Sequence, residues 1–211
     1  MNTALVEDRI RMGEHAMIIS EAQKRQLIQL FNTLPPNIKG HSMRTGIALE
    51  IFTSRILVMH PEYLSNETGS VSSLHIIHCA REFGFYHHLG EMPKKAGASE
   101  DAPAAKERIL SVFTDSWNSN GFYVHGLLDT IETHEEHWDG SGKPGGFRGN
   151  HIPFWGRACA IAEKYDLLTI GASMSQRKAF EQISHLSGRY FDPTLVPIFL
   201  ECAKELRVVR K

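Results

Sequence analysis

Apolar residues recur along this chain at intervals of three and four rather than two. In residues 21–33, EAQKRQLIQLFNT, Leu27, Leu30 and Phe31 share one helical face, and Pro35-Pro36 ends the run. Residues 41–59 place Ile47, Leu49, Ile51, Ile56 and Leu57 in a largely apolar helix. Residues 71–90 start at a serine-rich cap and stop at Gly90. The Pro/Ala/Gly-rich stretch 93–105 reads as a loop, followed by a helix over 106–115. After the SNGF turn a helix is expected over 122–136, then a glycine-rich loop over 139–150 and a strong helix over 153–170. Ser175 opens a helix that ends near SGRYFDP, and a last helix spans 193–208. No strand-like alternation with hairpin turns and no internal repeat occurs. The pattern predicts an all-α fold, a single bundle of about seven to nine helices.

Composition changes this picture little. The 211 residues carry a net charge of -1 and are 42% hydrophobic. That balance gives no general attraction to DNA or to a membrane surface, so neither is an expected partner. No run nears the roughly 18 apolar residues that suggest a membrane span. The opening MNTALVEDRIRMGEH is charged too early for a signal peptide, and a cytoplasmic protein is expected. Cys79, Cys159 and Cys202 lie far apart and read as small buried hydrophobes.

The 12 histidines change it more. Residues 133–146 read THEEHWDGSGKPGG, with metal-capable groups beside backbone hinges. His41 is expected to open one helix, His87 and His88 to close another, and His134, Glu135, Glu136 and His137 to close a third. Glu163 and Asp166 sit one turn apart on a fourth. Bundles build metal sites from helix ends and facing helices in this way. Neighbours on a helix diverge by about 100°, so His87-His88 suits two metals, or one metal and a supporting contact. His15, His60, His75, His78, His125, His151 and His185 read as surface or satisfied polar residues, and Glu136 as a solvated or salt-bridged carboxylate. HEEH is not the zinc-protease HExxH, because residue 138 is Trp138, and GSGKPGG lacks the spacing of a phosphate-binding P-loop.

The stretch THEEHWDGSGKPGGFRGNHIPFWGRACAIAEKYDLLT, together with SGRYFDPTLV, HSMRTGIALEIF and CAREFGFYHHLGEMP, resembles HD-GYP domains of the HD metal-dependent phosphohydrolase superfamily. The likeness runs from about residue 38 to the C-terminus, leaving 1–37 as an N-terminal helical segment packed on a 38–211 domain. It implies an all-α bacterial signalling domain that holds metals and hydrolyses cyclic di-GMP. Carried over by position, it implies His41, His87, His88, His134, Glu135 and Glu163 as ligands to one or two divalent ions of iron, manganese or zinc. His88, Glu135 and Glu163 replace an Asp, a His and an Asp of the family pattern, and each keeps a nitrogen or oxygen donor. Asp139 and Asp166 are then supporting residues, the first fixing the turn at Gly140 and Gly142 and the second orienting a ligand histidine. Lys143 and Arg157 are candidate substrate contacts, Arg157 equally a partner for an acid.

The chain also departs from the pattern. Glu91 stands where the family has a lysine, and Lys143 where it has the tyrosine of its name. A ligand histidine has no counterpart in 109–113, an acidic ligand has none near Asn37, and IGASMS replaces a cation-rich stretch. Two functions follow. One is a phosphodiesterase acting on cyclic di-GMP or a related nucleotide through metal-activated water. The other is an inactive module of the same fold that binds a nucleotide or a signalling protein, with a homodimer as a further option.

Overall fold

The structure is a computed structural model that describes residues 19–64, 71–90, 109–113 and 121–210. The predicted loop 93–105, Glu91 and His15 lie outside the described residues. Helix α1 spans Glu21–Asn32, α2 Pro36–Met59, α3 Ser73–Tyr86, α4 Gly121–Thr133, α5 Phe154–Asp166, α6 Gln176–His185 and α7 Leu195–Glu201. Short 3-10 turns cover His87–Gly90, Gly149–His151 and Glu205–Arg210, and a π turn covers Leu167–Gly171. The described residues form no β-strand beyond an isolated bridge between Ser187 and Phe191. The fold is all-α.

Local chemistry sets most helix starts. Ser20 and Gln23 form a reciprocal capping box on α1. Ser72 and Ser175 accept from the third backbone N–H of α3 and α6. Pro35-Pro36 ends α1 and also starts α2, because a proline in the first turn has no N–H to leave unpaired. α2 therefore begins five residues earlier than its apolar pattern suggested.

The core is aromatic at its centre. Phe83 meets Trp155 edge-on at 5.0 Å, and Phe52 meets Phe199 at 5.1 Å. Phe31 of α1 packs on Phe85 at 4.1 Å, which anchors the N-terminal helix to α3. The three cysteines are free and buried. α2 and α3 cross where Gly46 faces Gly84. A β-carbon on Gly84 would sit 2.8 Å from the Gly46 α-carbon, and one on Gly46 would sit 2.6 Å from the Arg81 carbonyl. No residue larger than glycine fits this crossing as it stands, and it is what draws His41 on α2 toward His87 at the end of α3.

Three element ends differ from the periodicity. α4 stops at Thr133, so His134 to His137 lie in the turn beyond it and do not close the helix. The reason is tertiary: Gly142 packs against the His137 N–H so closely that an added β-carbon would stand 2.2 Å away, and Lys143 donates its N–H to the Glu135 carbonyl. α3 tightens into a 3-10 turn at His87, and the last helix breaks after Glu201 into a separate 3-10 turn.

Candidate metal centre

Four segments converge on one buried point. His41 comes from α2, His87 and His88 from the 3-10 turn, His134 from the end of α4 and Glu163 from α5. One donor atom each from His41, His87, His88 and Glu163 lies within 4.8 Å of the others. The His134 ring stands 5.0 Å from that of His87 and 5.6 Å from that of His88. Glu135 is exposed and outside this group. His87 and His88 do not diverge as neighbours on a regular helix would. Their rings lie 4.0 Å apart at the end of α3, both against the His41 and His134 rings.

The hydrogen bonds fix which nitrogen faces inward. His87 Nδ1 lies 2.6 Å from the Gly84 carbonyl and His134 Nδ1 lies 2.9 Å from the Thr130 carbonyl. A carbonyl only accepts, so both Nδ1 atoms carry the proton and both Nε2 atoms keep a lone pair. His41 Nδ1 donates to Asp166 Oδ2 at 2.6 Å. The Nε2 atoms of His41, His87 and His134 are buried with no hydrogen-bond partner. Buried nitrogens of this kind are costly unless something binds them. A divalent cation fits this set: it would use the inward lone pairs while the outer N–H bonds hold each ring in place.

Burial and the neighbouring His88, His134 and His41 push His87 well below the ordinary imidazole range, so it stays neutral. Burial opposes a charge on His41, but the hydrogen bond to Asp166 and the nearby Glu163 outweigh it and push the imidazole up to about 9, so a cation binding at its Nε2 would have to displace a proton. Glu163 Oε1 is 3.8 Å from His41 Nε2, an ion-pair distance too long for a hydrogen bond. Burial would raise the Glu163 carboxyl, yet His41 and the other rings hold it below its usual value, so it is ionised.

Asp166 also takes two bonds from Arg44, at 2.6 and 3.1 Å. Arg44 was not picked out from the sequence, although the His41-x-x-Arg44 spacing puts both on one helix face. Glu136 is buried, not solvated. It accepts the backbone N–H groups of Gly145, Gly146 and Phe147 at 2.5, 3.0 and 3.1 Å, which pins the glycine loop. Asp139 accepts the Ser141 N–H at 2.9 Å and shapes the turn at Gly140. Arg157 binds Asp192 at 2.5 Å and the Ile152 carbonyl, so its charge is neutralised within the fold. His78, His125, His151 and His185 are exposed.

A cleft of about 330 Å³ opens beside the cluster. His134, Glu135, Glu136, Glu163, Lys143, Lys164 and Tyr190 are among the residues that line it. Tyr190 stacks on His137 with ring centroids 4.0 Å apart. Lys164 is a second functional candidate that periodicity hid, since it sits inside an apolar helix next to Glu163.

An all-α bundle with an inward-facing histidine–carboxylate cluster beside a cleft lined by both lysines and glutamates carries a candidate metal site. Residues 123–195 match the family model described as an HD domain. A cyclic di-GMP phosphodiesterase of Thermotoga maritima is 37% identical over 78 residues, which is 35% of this chain and 21% of that protein. A 3'3'-cGAMP-specific phosphodiesterase of Vibrio cholerae serotype O1 is 34% identical over 208 residues, 89% of this chain and 41% of that protein. A solved structure of a cyclic GMP-AMP specific phosphodiesterase of V. cholerae aligns with a TM-score of 0.49 and 17% identity, covering 86% of this chain and 48% of that one. The chain spans less than half the length of the curated relatives it matches. The sequence matches identify an HD-superfamily domain in this chain. Among the described residues no helix is long and apolar enough to cross a membrane.

Proposed function

We propose that this chain is a divalent-metal-dependent phosphodiesterase of the HD-GYP type that acts on a cyclic dinucleotide, cyclic di-GMP or 3'3'-cGAMP. The observation that carries this reading is the set of buried, unpaired Nε2 atoms on His41, His87 and His134 beside an ionised Glu163 that also forms the wall of the cleft. The names of the curated relatives supply the substrate class.

His41, His87, His88, His134 and Glu163 would hold the ion. Their mainly imidazole character suits iron or zinc better than manganese, magnesium or calcium. When bound, the ion supplies Lewis-acid activation of a water and of the phosphoryl group. The chain's own residues do the rest. Gly84, Thr130 and Asp166 fix the ligand rings. Lys143 and Lys164, which line the cleft, bind and orient the phosphate, and their charges offset the negative charge that builds on its oxygens. Tyr190 offers an aromatic face for a nucleobase.

The test is metal content by elemental mass spectrometry on protein purified without chelator or nickel, followed by hydrolysis assays on both cyclic dinucleotides. Metal retention with turnover, both lost in His87→Ala and His134→Ala, is the expected result. A second reading is a non-hydrolysing nucleotide-binding module, favoured by the lack of any cation in residues 170–175 next to the site. Tight binding of the dinucleotide without product would select it.

A further inference from the structure

The donor set is unusual in how little negative charge it offers. Of the acids near the cluster, Asp166 is committed to His41 and Arg44, Glu136 to three backbone N–H groups, and Glu135, on the cleft lining, is exposed and outside the four-donor group. Glu163 is the carboxylate left facing the histidine rings among the described residues. One divalent ion against that carboxylate leaves a single net positive charge, whereas two ions would leave three in a buried site.

Span points the same way. Two ions in a phosphohydrolase site stand about 3.5–4 Å apart. With bonds of about 2.1 Å at each end, their ligands spread over roughly 8 Å. The donors of His41, His87, His88 and Glu163 close within 4.8 Å, near the roughly 4 Å between opposite ligands on one ion, and the His134 ring, outside that four-donor group, stands 5.0 Å from the His87 ring and 5.6 Å from the His88 ring. Bridging is limited too. A carboxylate presents two oxygens to two ions, whereas an imidazole whose Nδ1 proton is held by a carbonyl presents one nitrogen. His87 and His134 are of that second kind.

We infer that this site takes one divalent ion, and that Lys143 and Lys164 supply across the cleft the positive charge that a second ion would otherwise bring to the phosphate. This rests on the proposed phosphodiesterase reading and narrows it. The lysines are placed for the task, since they line the same cleft as His134 and Glu163. The nitrogen-rich, singly anionic shell favours iron or zinc over harder ions.

The experiment is a metal titration of the full chain. The protein is stripped with chelator, reloaded with excess manganese or zinc, desalted and counted for metal per chain. Manganese samples are also read by electron paramagnetic resonance. Uptake saturating at one ion per chain, with the hyperfine pattern of an isolated ion, is expected. Two ions per chain with the spectrum of a coupled pair would overturn the one-ion inference and leave the phosphodiesterase reading standing. No uptake of any metal would overturn both. His88→Asp adds a carboxylate facing the centre, and circular dichroism verifies its fold. Its uptake is expected to rise toward two ions, and uptake unchanged at one would overturn charge as the limit.

Discussion

His41 on α2 donates its Nδ1 proton to Asp166 Oδ2 at the end of α5 across 2.6 Å, although 125 residues separate them in sequence. The bond sets the orientation of a ring whose other nitrogen faces the histidine–glutamate cluster. It also turns Arg44 into part of the site, because the guanidinium holds the same carboxylate from the other side. Asp166→Asn removes the charge that fixes both. Metal affinity is expected to fall about 10- to 100-fold, the usual cost of losing such an outer hydrogen bond. A competition titration against a chelating dye measures it.

The glycine crossing of α2 and α3 is a geometric requirement. Gly84→Ala places a methyl against the Gly46 backbone, which has no flexible end to yield. Overpacking of this kind costs about 1–3 kcal/mol. The helices should move apart, widening the gap between His41 and His87. Urea denaturation is expected to show the loss, and metal uptake by the folded variant is expected to weaken with it.

Glu136 holds the glycine loop through three N–H groups. Glu136→Gln keeps the shape and removes the charge. Hydrogen bonds to a charged group contribute about 1.5–3 kcal/mol. Hydrogen exchange at Gly145, Gly146 and Phe147 is expected to speed up by at least tenfold while the α4 core amides stay protected. Unchanged exchange in the loop would show that other contacts hold it.

The two cleft lysines should separate binding from metal retention. Lys164→Ala and Lys143→Ala each remove a cation from the cleft without touching a ligand. Dinucleotide affinity is expected to fall roughly tenfold or more for each, with metal content per chain unchanged. Calorimetry on the metal-loaded protein measures the first and elemental analysis the second.

Asp139 gives a pH signature. Hydrogen bonds from the Ser141 hydroxyl and backbone N–H, and the nearby Arg189, hold its carboxyl below the ordinary 3.8. A carboxyl lowered in the folded state stabilises the turn above its unfolded value, and that stabilisation is lost as pH falls through the lower folded value. A carboxyl-carbon NMR titration is expected to place the Asp139 midpoint below 3.8, and Ser141→Ala to move it back up.

The sequence by itself determined the fold class and most helix positions. Period and caps are local properties: the Leu27–Phe31 stripe, Ser20, Ser72, Ser175 and Pro36 act within one turn of where they stand. It also marked His41, His87, His134 and Glu163, because nitrogen and oxygen donors at helix ends are visible without coordinates. Tertiary structure decided the rest. Whether Glu135 or Glu136 turned inward depended on where α4 stopped, and that was set by Gly142 packing on His137 from beyond the helix. That His87 and His88 both meet the His41 and His134 rings depended on how the end of α3 packs against α2 and α4. Arg157 became a partner of Asp192 rather than of a substrate because residues 35 apart meet in the fold. These outcomes rest on contacts between distant segments, whose energies appear only once the helices have packed.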